Sequence, residues 1–124
     1  MFYGCSSLKS INLSNFDTKN VINLNSMFYG CSSLKSIDLF NFNTSKISDM
    51  NYIFYNCKSL SSINIKNFYT NSTVYLFNEN CYMNGTIYTN KNIYDKMDNT
   101  SRKLINNWNI YCFYYNIWLF LSCF

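Results

Sequence analysis

The side chains with the most chemical reach in this chain are six cysteines, ten lysines and arginines, and six carboxylates; there is no histidine. A thiolate can attack a carbonyl or hold a soft metal, and a pair of carboxylates can exchange protons with a substrate. Each use needs a partner at a set spacing. Without histidine, most hydrolytic triads are excluded. No Cys-x-x-Cys or Cys/His spacing marks a zinc site. The carboxylates are too few and too scattered to nominate an acid–base pair, and no phosphate loop is present. The expectation is a non-enzyme with no catalytic residue, no cofactor and no metal.

Three of the cysteines instead mark a period. Cys5, Cys31 and Cys57 stand 26 residues apart, and whole sentences of sequence travel with them. Met1-Phe2-Tyr3-Gly4-Cys5-Ser6-Ser7-Leu8-Lys9-Ser10-Ile11-Asn12-Leu13 returns from Met27 to Leu39 and, blurred, from Ile53 to Ile65. A fixed period of this size is the mark of a solenoid, in which each unit buries its apolar face only against its neighbours. Within each unit the pattern is Leu8-x-x-Ile11-x-Leu13, Leu34-x-x-Ile37-x-Leu39, Leu60-x-x-Ile63-x-Ile65, which is a leucine-rich-repeat core. Ile11 and Leu13 share one face of a short strand, and Ser10 and Asn12 point the other way. Stacked units would pair these strands in parallel, about 4.8 Å apart.

The other columns follow. Phe2, Phe28 and Phe54 fill the convex side, closed by Val21 and Ile47 and by Leu24, Met50 and Leu76. Asn15-Phe16-x-Thr18 and its copies at Asn41 and Asn67 satisfy backbone groups where the chain turns. Gly4 and Gly30 become Asn56 in the third unit. Asparagine is the non-glycine residue that best accepts positive φ, so a left-handed turn is expected there. The cysteine column lies in phase with leucine and phenylalanine. Its default role is a buried free thiol acting as a small apolar filler. Neighbouring rungs would bring the Cα atoms within disulfide reach, but side chains in a column point the same way and three cannot fully pair.

The string M-F-Y-G-C-S-S-L-K-S-I-x-L-x-N-F-x-T over residues 1–77 resembles the BspA-like leucine-rich repeats of bacterial and protist surface proteins. The resemblance implies a curved solenoid displayed outside the cell and used for adhesion or protein binding, with no catalytic residues. It also implies a cell-surface or extracellular location. No signal peptide precedes the first repeat, because Met1 is in phase with Met27, and no capping unit does either. Met1 is therefore expected to lie inside a longer ancestral array, with a truncated gene remnant as the alternative reading.

Composition sets further bounds. Hydrophobic residues are 48% and aromatics 20% of 124 residues, which excludes a disordered chain. The net charge is +4, but only Arg102 and Lys103 are adjacent basic residues. Nucleic-acid binding needs a clustered basic face and is not expected. The five Asn-x-Ser/Thr sequons are explained by a composition rich in Asn and Ser.

The expected architecture is an α/β or mainly β repeat solenoid, leucine-rich-repeat-like, with parallel strands. It has about three rungs plus a degenerate fourth and a C-terminal helical cap. Residues 1–77 form the solenoid and 78–108 a degenerate last rung and capping helix. Residues 109–124 form an apolar tail. Phe77 and Cys81 read as a slipped fourth Phe/Cys step, and Gly85-Thr86-Ile87-Tyr88 as a last strand. Ile93, Met97, Leu104 and Trp108 share a helical stripe, which predicts one amphipathic helix over 93–108 with Asn92 as its N-cap. The tail from Ile110 to Phe124 is shorter than a spanning helix requires. It reads as a membrane-touching anchor, as part of the solenoid's packing, or as unselected sequence.

A solenoid of this kind works through the outward positions of its strands. The candidate partner-binding residues are therefore Lys9, Asn12, Lys35, Asp38 and Asn64, with Phe40 and Lys66 just past the strands. Phe40 stands out because its column is otherwise polar. The expected partner is a protein or host-surface ligand. Self-association through the uncapped first rung is also expected, since an open strand edge recruits other strands.

Overall fold

Parallel strands at short, regular intervals form the spine of the protein. A computed structural model describes residues 1–81, 84–105, 109–114 and 117–121, with 112–114 and 117–121 described as backbone only. The elements are β1 (Ser36–Asp38), β2 (Ser62–Asn64), β3 (Thr86–Asn90), α1 (Lys91–Lys96), α2 (Asn99–Ile105), β4 (Asn109–Tyr114) and β5 (Ile117–Leu121). One sheet runs β1-β2-β3-β4-β5; the first four strands are parallel and β5 returns antiparallel to β4. This is a repeat solenoid of parallel strands with two short helices. Ile37, Ile63, Ile87 and Ile110 lie opposite one another across the sheet. The step between them shortens from 26 residues (63 − 37) to 24 (87 − 63) and 23 (110 − 87).

The first repeat differs from expectation. Residues 10–12 form no strand, although the Lys35 N–H donates to the Lys9 carbonyl at 3.3 Å. This segment has a paired neighbour on one side only, and Leu8 and Ile11 stay partly exposed. One long backbone bond does not hold a ladder.

Stacking builds the interior. The rings of Phe2 and Phe28 lie 5.4 Å apart, those of Phe28 and Phe54 6.4 Å, and those of Phe54 and Phe77 5.5 Å, all near parallel. Phe77 thus keeps its place in the column although three residues have dropped out of the period (77 − 54 = 23). Leu13, Leu39, Ile65, Leu24, Met50 and Leu76 are buried around them. The convex side carries its own ladder of backbone hydrogen bonds. Leu24, Ser26, Phe28 and Gly30 donate to the carbonyls of Asp49, Asn51, Ile53 and Tyr55 at 2.8–3.1 Å.

The expected left-handed column is present, with φ of 71° at Gly4, 73° at Gly30 and 59° at Asn56. A second one was not legible in the residue types: Ser26 (56°) and Tyr52 (60°) share a phase.

The cysteine column needs one correction. Cys31, Cys57 and Cys81 are buried free thiols, but Cys5 is exposed. Each buried thiol donates to the Phe carbonyl of the preceding rung: Cys31 to Phe2 and Cys57 to Phe28 at 3.1 Å, Cys81 to Phe54 at 3.2 Å. The accepting carbonyl lies 29 residues upstream (31 − 2 and 57 − 28), so burial of a thiol depends on the rung before it.

The single helix over 93–108 is also corrected. It is two helices, broken at Met97 and Asp98. The Val74 N–H donates to the Lys96 carbonyl (2.8 Å) and the Asp98 N–H to the Val74 carbonyl (2.9 Å). Met97 is therefore held extended, at ψ 139°, and pairing with the neighbouring rung prevails over continuing the helix. Asp98 then caps α2, its carboxylate accepting from the N–H groups of Thr100 and Ser101. The cap of α1 is Asn90, whose Oδ1 accepts from Ile93 N–H at 3.0 Å. Asn92 instead exchanges two hydrogen bonds with the Thr70 backbone, both 2.9 Å. Ile93, Met97 and Leu104 are buried as the stripe requires; Trp108 lies outside the described residues. The helices do not end the sheet, because β4 continues it beyond them.

The backbone of the apolar tail joins the solenoid as β4 and β5. Of its three readings, this is the one in which it packs with the repeats. Among the described residues no helix is long and apolar enough to cross a membrane.

Candidate functional site

The outward face is built by short polar side chains that bind the backbone before they can bind anything else. The carboxylate or amide oxygens of Asn12, Asp38 and Asn64 accept the N–H two residues on, at Ser14 (3.0 Å), Phe40 (2.9 Å) and Lys66 (3.3 Å). These Asx turns swing the chain off the sheet, and those at Asp38 and Asn64 end β1 and β2. Three candidate contact residues therefore hold the turns, a role the spacing did not reveal. Asp38 and Asn64 also sit side by side in the β1–β2 register.

The next column ties rung to rung. The amide nitrogens of Asn41, Asn67 and Asn90 donate to the carbonyls of Ser14 (3.2 Å), Phe40 (2.8 Å) and Lys66 (2.7 Å). Buried Thr18 and Thr44 accept from Asn43 N–H (2.8 Å) and Tyr69 N–H (2.9 Å) through their hydroxyls. This is the expected satisfaction of backbone groups at the turns.

The remaining candidates fall at two places. Lys9 and Lys35 are exposed on adjacent rungs where the strands begin. Phe40 and Lys66 come together where the strands end. Phe40 is 41% exposed, and the Lys66 ammonium sits 5.5 Å from its ring centroid, a cation–π geometry. The fold thus brings Asp38, Phe40, Asn64 and Lys66 into one patch and leaves Lys9 and Lys35 apart, across the width of the strands.

Sequence reasoning missed the continuation of this face. Tyr88 lies opposite Asn64, and Tyr111 opposite Tyr88. Their rings stack at 5.1 Å, tilted by 16°. The available signal was that Tyr88 stands two residues beyond Thr86, on the same outward side of β3 as Thr86.

The electrostatics are quiet. Burial pushes the Cys31, Cys57 and Cys81 thiols above their usual range. Burial likewise raises Tyr55. Thiols held protonated are poor nucleophiles and poor metal ligands. Among the described residues, no three His, Cys, Asp or Glu side chains are grouped to hold a metal ion.

Fold and surface together define a class: a parallel-strand repeat solenoid whose polar columns lock its rungs and whose exposed rim combines aromatic and basic groups. The model of the family described as "Mycoplasma protein of unknown function, DUF285" matches residues 1–96, and the chain belongs to that family. No curated protein and no solved structure matches it.

Proposed function

We propose that this chain is a non-enzymatic interaction module of the BspA-like leucine-rich-repeat kind, displayed at a cell surface and used for adhesion or protein binding. The observation that carries this reading is the Phe40–Lys66 pair at the end of the strand row. The asparagine, aspartate and threonine columns around it are committed to backbone groups. Phe40 there presents a half-exposed aromatic ring, the residue kind enriched where partners anchor, and the Lys66 cation beside it adds a charge that steers an approaching partner. Its partner is a protein or host-surface ligand, not a nucleic acid, because the basic residues form no continuous stripe. Exposed Met1 and Tyr3 on the first rung support self-association there, which light scattering would report as a concentration-dependent mass.

The test is binding of the folded chain to a panel of immobilised host-surface and matrix proteins. The chain binds at least one, and the Phe40→Ala/Lys66→Ala double variant binds it at least about tenfold more weakly, a loss of about 1.4 kcal/mol. Unchanged binding by the double variant would remove this patch from the reading. Protease treatment of intact cells checks location, since a surface module is digested without lysis.

A further inference from the structure

We propose that the flank of the solenoid beside the strand face is a binding site for a neutral glycan. This deepens the reading of the chain as an interaction module and names the class of one ligand. An open cleft of about 480 Å³ lies between the second and third repeats, lined by Phe40, Asn41, Asn43, Ser45, Asn67 and Tyr69, among others. Its size suits a small ligand, which takes roughly 300–1,000 Å³. It continues into a second cleft of about 380 Å³ beside the first repeat and shares Asn41 and Asn43 with it.

The lining has two features that together point to sugar. The first is an open aromatic face. Tyr69 is 54% exposed, and among the described residues its ring makes no ring contact and its hydroxyl donates to the Asn71 side chain, at 3.0 Å. The C–H face of a pyranose packs on such a ring by burying its weakly polar hydrogens against the π cloud. The second is a set of uncharged amide groups with capacity left over. Asn41 and Asn67 each use the amide nitrogen on a backbone carbonyl, which leaves Oδ1 to accept. Asn43 uses Oδ1 on the Ser45 N–H, at 3.0 Å, which leaves its amide nitrogen to donate. These backbone bonds fix the amides in place, so little side-chain freedom is lost on binding. Neighbouring hydroxyls on a sugar each donate and accept, and fixed amide acceptors and donors answer both needs.

A peptide fits the same cleft less well. The N–H groups of Phe40, Asn43, Ser45 and Tyr69 are each taken by a side-chain oxygen, so they offer no strand edge, and Phe42 lies buried below the surface. The first cleft has no charged side chain in its lining, which disfavours an ionic ligand.

Saturation-transfer NMR on the full chain tests this, with cellotriose, mannotriose and N-acetyllactosamine as probes. At least one receives saturation at its ring C–H protons. Tyr69→Ala weakens that binding at least tenfold, and Tyr69→Phe keeps it, because the ring and not the hydroxyl provides the platform. Circular dichroism verifies that both variants stay folded. Absence of transfer to all three sugars, or transfer undiminished in Tyr69→Ala, overturns the proposal. The same preparation is assayed on the protein panel above. Protein binding without sugar binding removes the glycan site alone, whereas loss of both removes the interaction-module reading as well.

Discussion

Gly85 separates close packing from backbone freedom as reasons for a glycine. A Cβ built on it would lie 2.4 Å from the Ser61 carbonyl oxygen, 2.9 Å from that carbonyl carbon and 3.0 Å from the Ser61 Cα, all backbone atoms. No flexible side chain can yield, so β2 and β3 must separate. The bonds at risk are those from Thr86 N–H to Ser61 O (2.8 Å) and from Asn109 N–H to Gly85 O (2.7 Å). Overpacking of this kind costs about 1–3 kcal/mol, and a weakened hydrogen bond adds about 1 kcal/mol. Gly85 is not in the left-handed region, so restricting the unfolded chain returns about 0.4–1 kcal/mol. Gly85→Ala should therefore lose about 1–4 kcal/mol in a urea titration followed by circular dichroism. Gly30 is the reverse case. Its φ is +73° and an added Cβ meets nothing closer than 3.5 Å, so Gly30→Ala loses about 1–2 kcal/mol from conformation. Gly30→Asn recovers most of that loss, since Asn56 holds the same position at φ 59°. A Gly85→Ala variant within about 0.5 kcal/mol of the parent would refute the packing argument.

Further outcomes follow from the same geometry. Ser101 is buried and its hydroxyl accepts from both Leu76 and Phe77 N–H at 3.1 Å. Ser101→Ala takes that acceptor from both N–H groups and should cost about 2–4 kcal/mol in denaturant. Leu34 is fully buried and Leu8 partly exposed, so Leu34→Ala should cost about 2–5 kcal/mol and Leu8→Ala clearly less; equal losses would count against the stacked-rung account. A thiol reagent should modify Cys5 rapidly in the native protein and Cys31, Cys57 and Cys81 only as fast as the chain opens. Burial raises those three thiols above the ordinary value of 9.0. The folded state holds their protons while the unfolded chain releases them, so their contribution is complete below pH 9 and is lost as pH rises beyond it. The urea midpoint should fall above pH 9, and the fall should be shallower in Cys57→Ala.

The sequence by itself determined the columns that recur in residue type. Such a column meets like surroundings wherever its rung is stacked on another, so Phe2, Phe28 and Phe54 had to stack and Gly4, Gly30 and Asn56 had to share one turn. Ile37 and Ile63 fixed the register of β1 and β2 for the same reason. Tertiary structure decided what happens where the period slips. The 93–108 stripe satisfied helical periodicity, yet Val74 claimed the backbone at Lys96 and Asp98 and broke the helix between them. Cys5 has the sequence surroundings of Cys31 but lies exposed, because burial depends on the adjacent rung and not on the residue's own repeat. The candidate site divided along the same line. Which residues face outward follows from strand alternation, but only the turns could show that Asn12, Asp38 and Asn64 are held by their own backbone. Phe40 and Lys66 occupy one column a full period apart (66 − 40 = 26), so the repeat itself set them on neighbouring rungs; only the tertiary structure put the ammonium over the ring, 5.5 Å from its centroid. How a side chain leans on its column neighbour has no signature within a single repeat; it is decided only once the rungs are stacked.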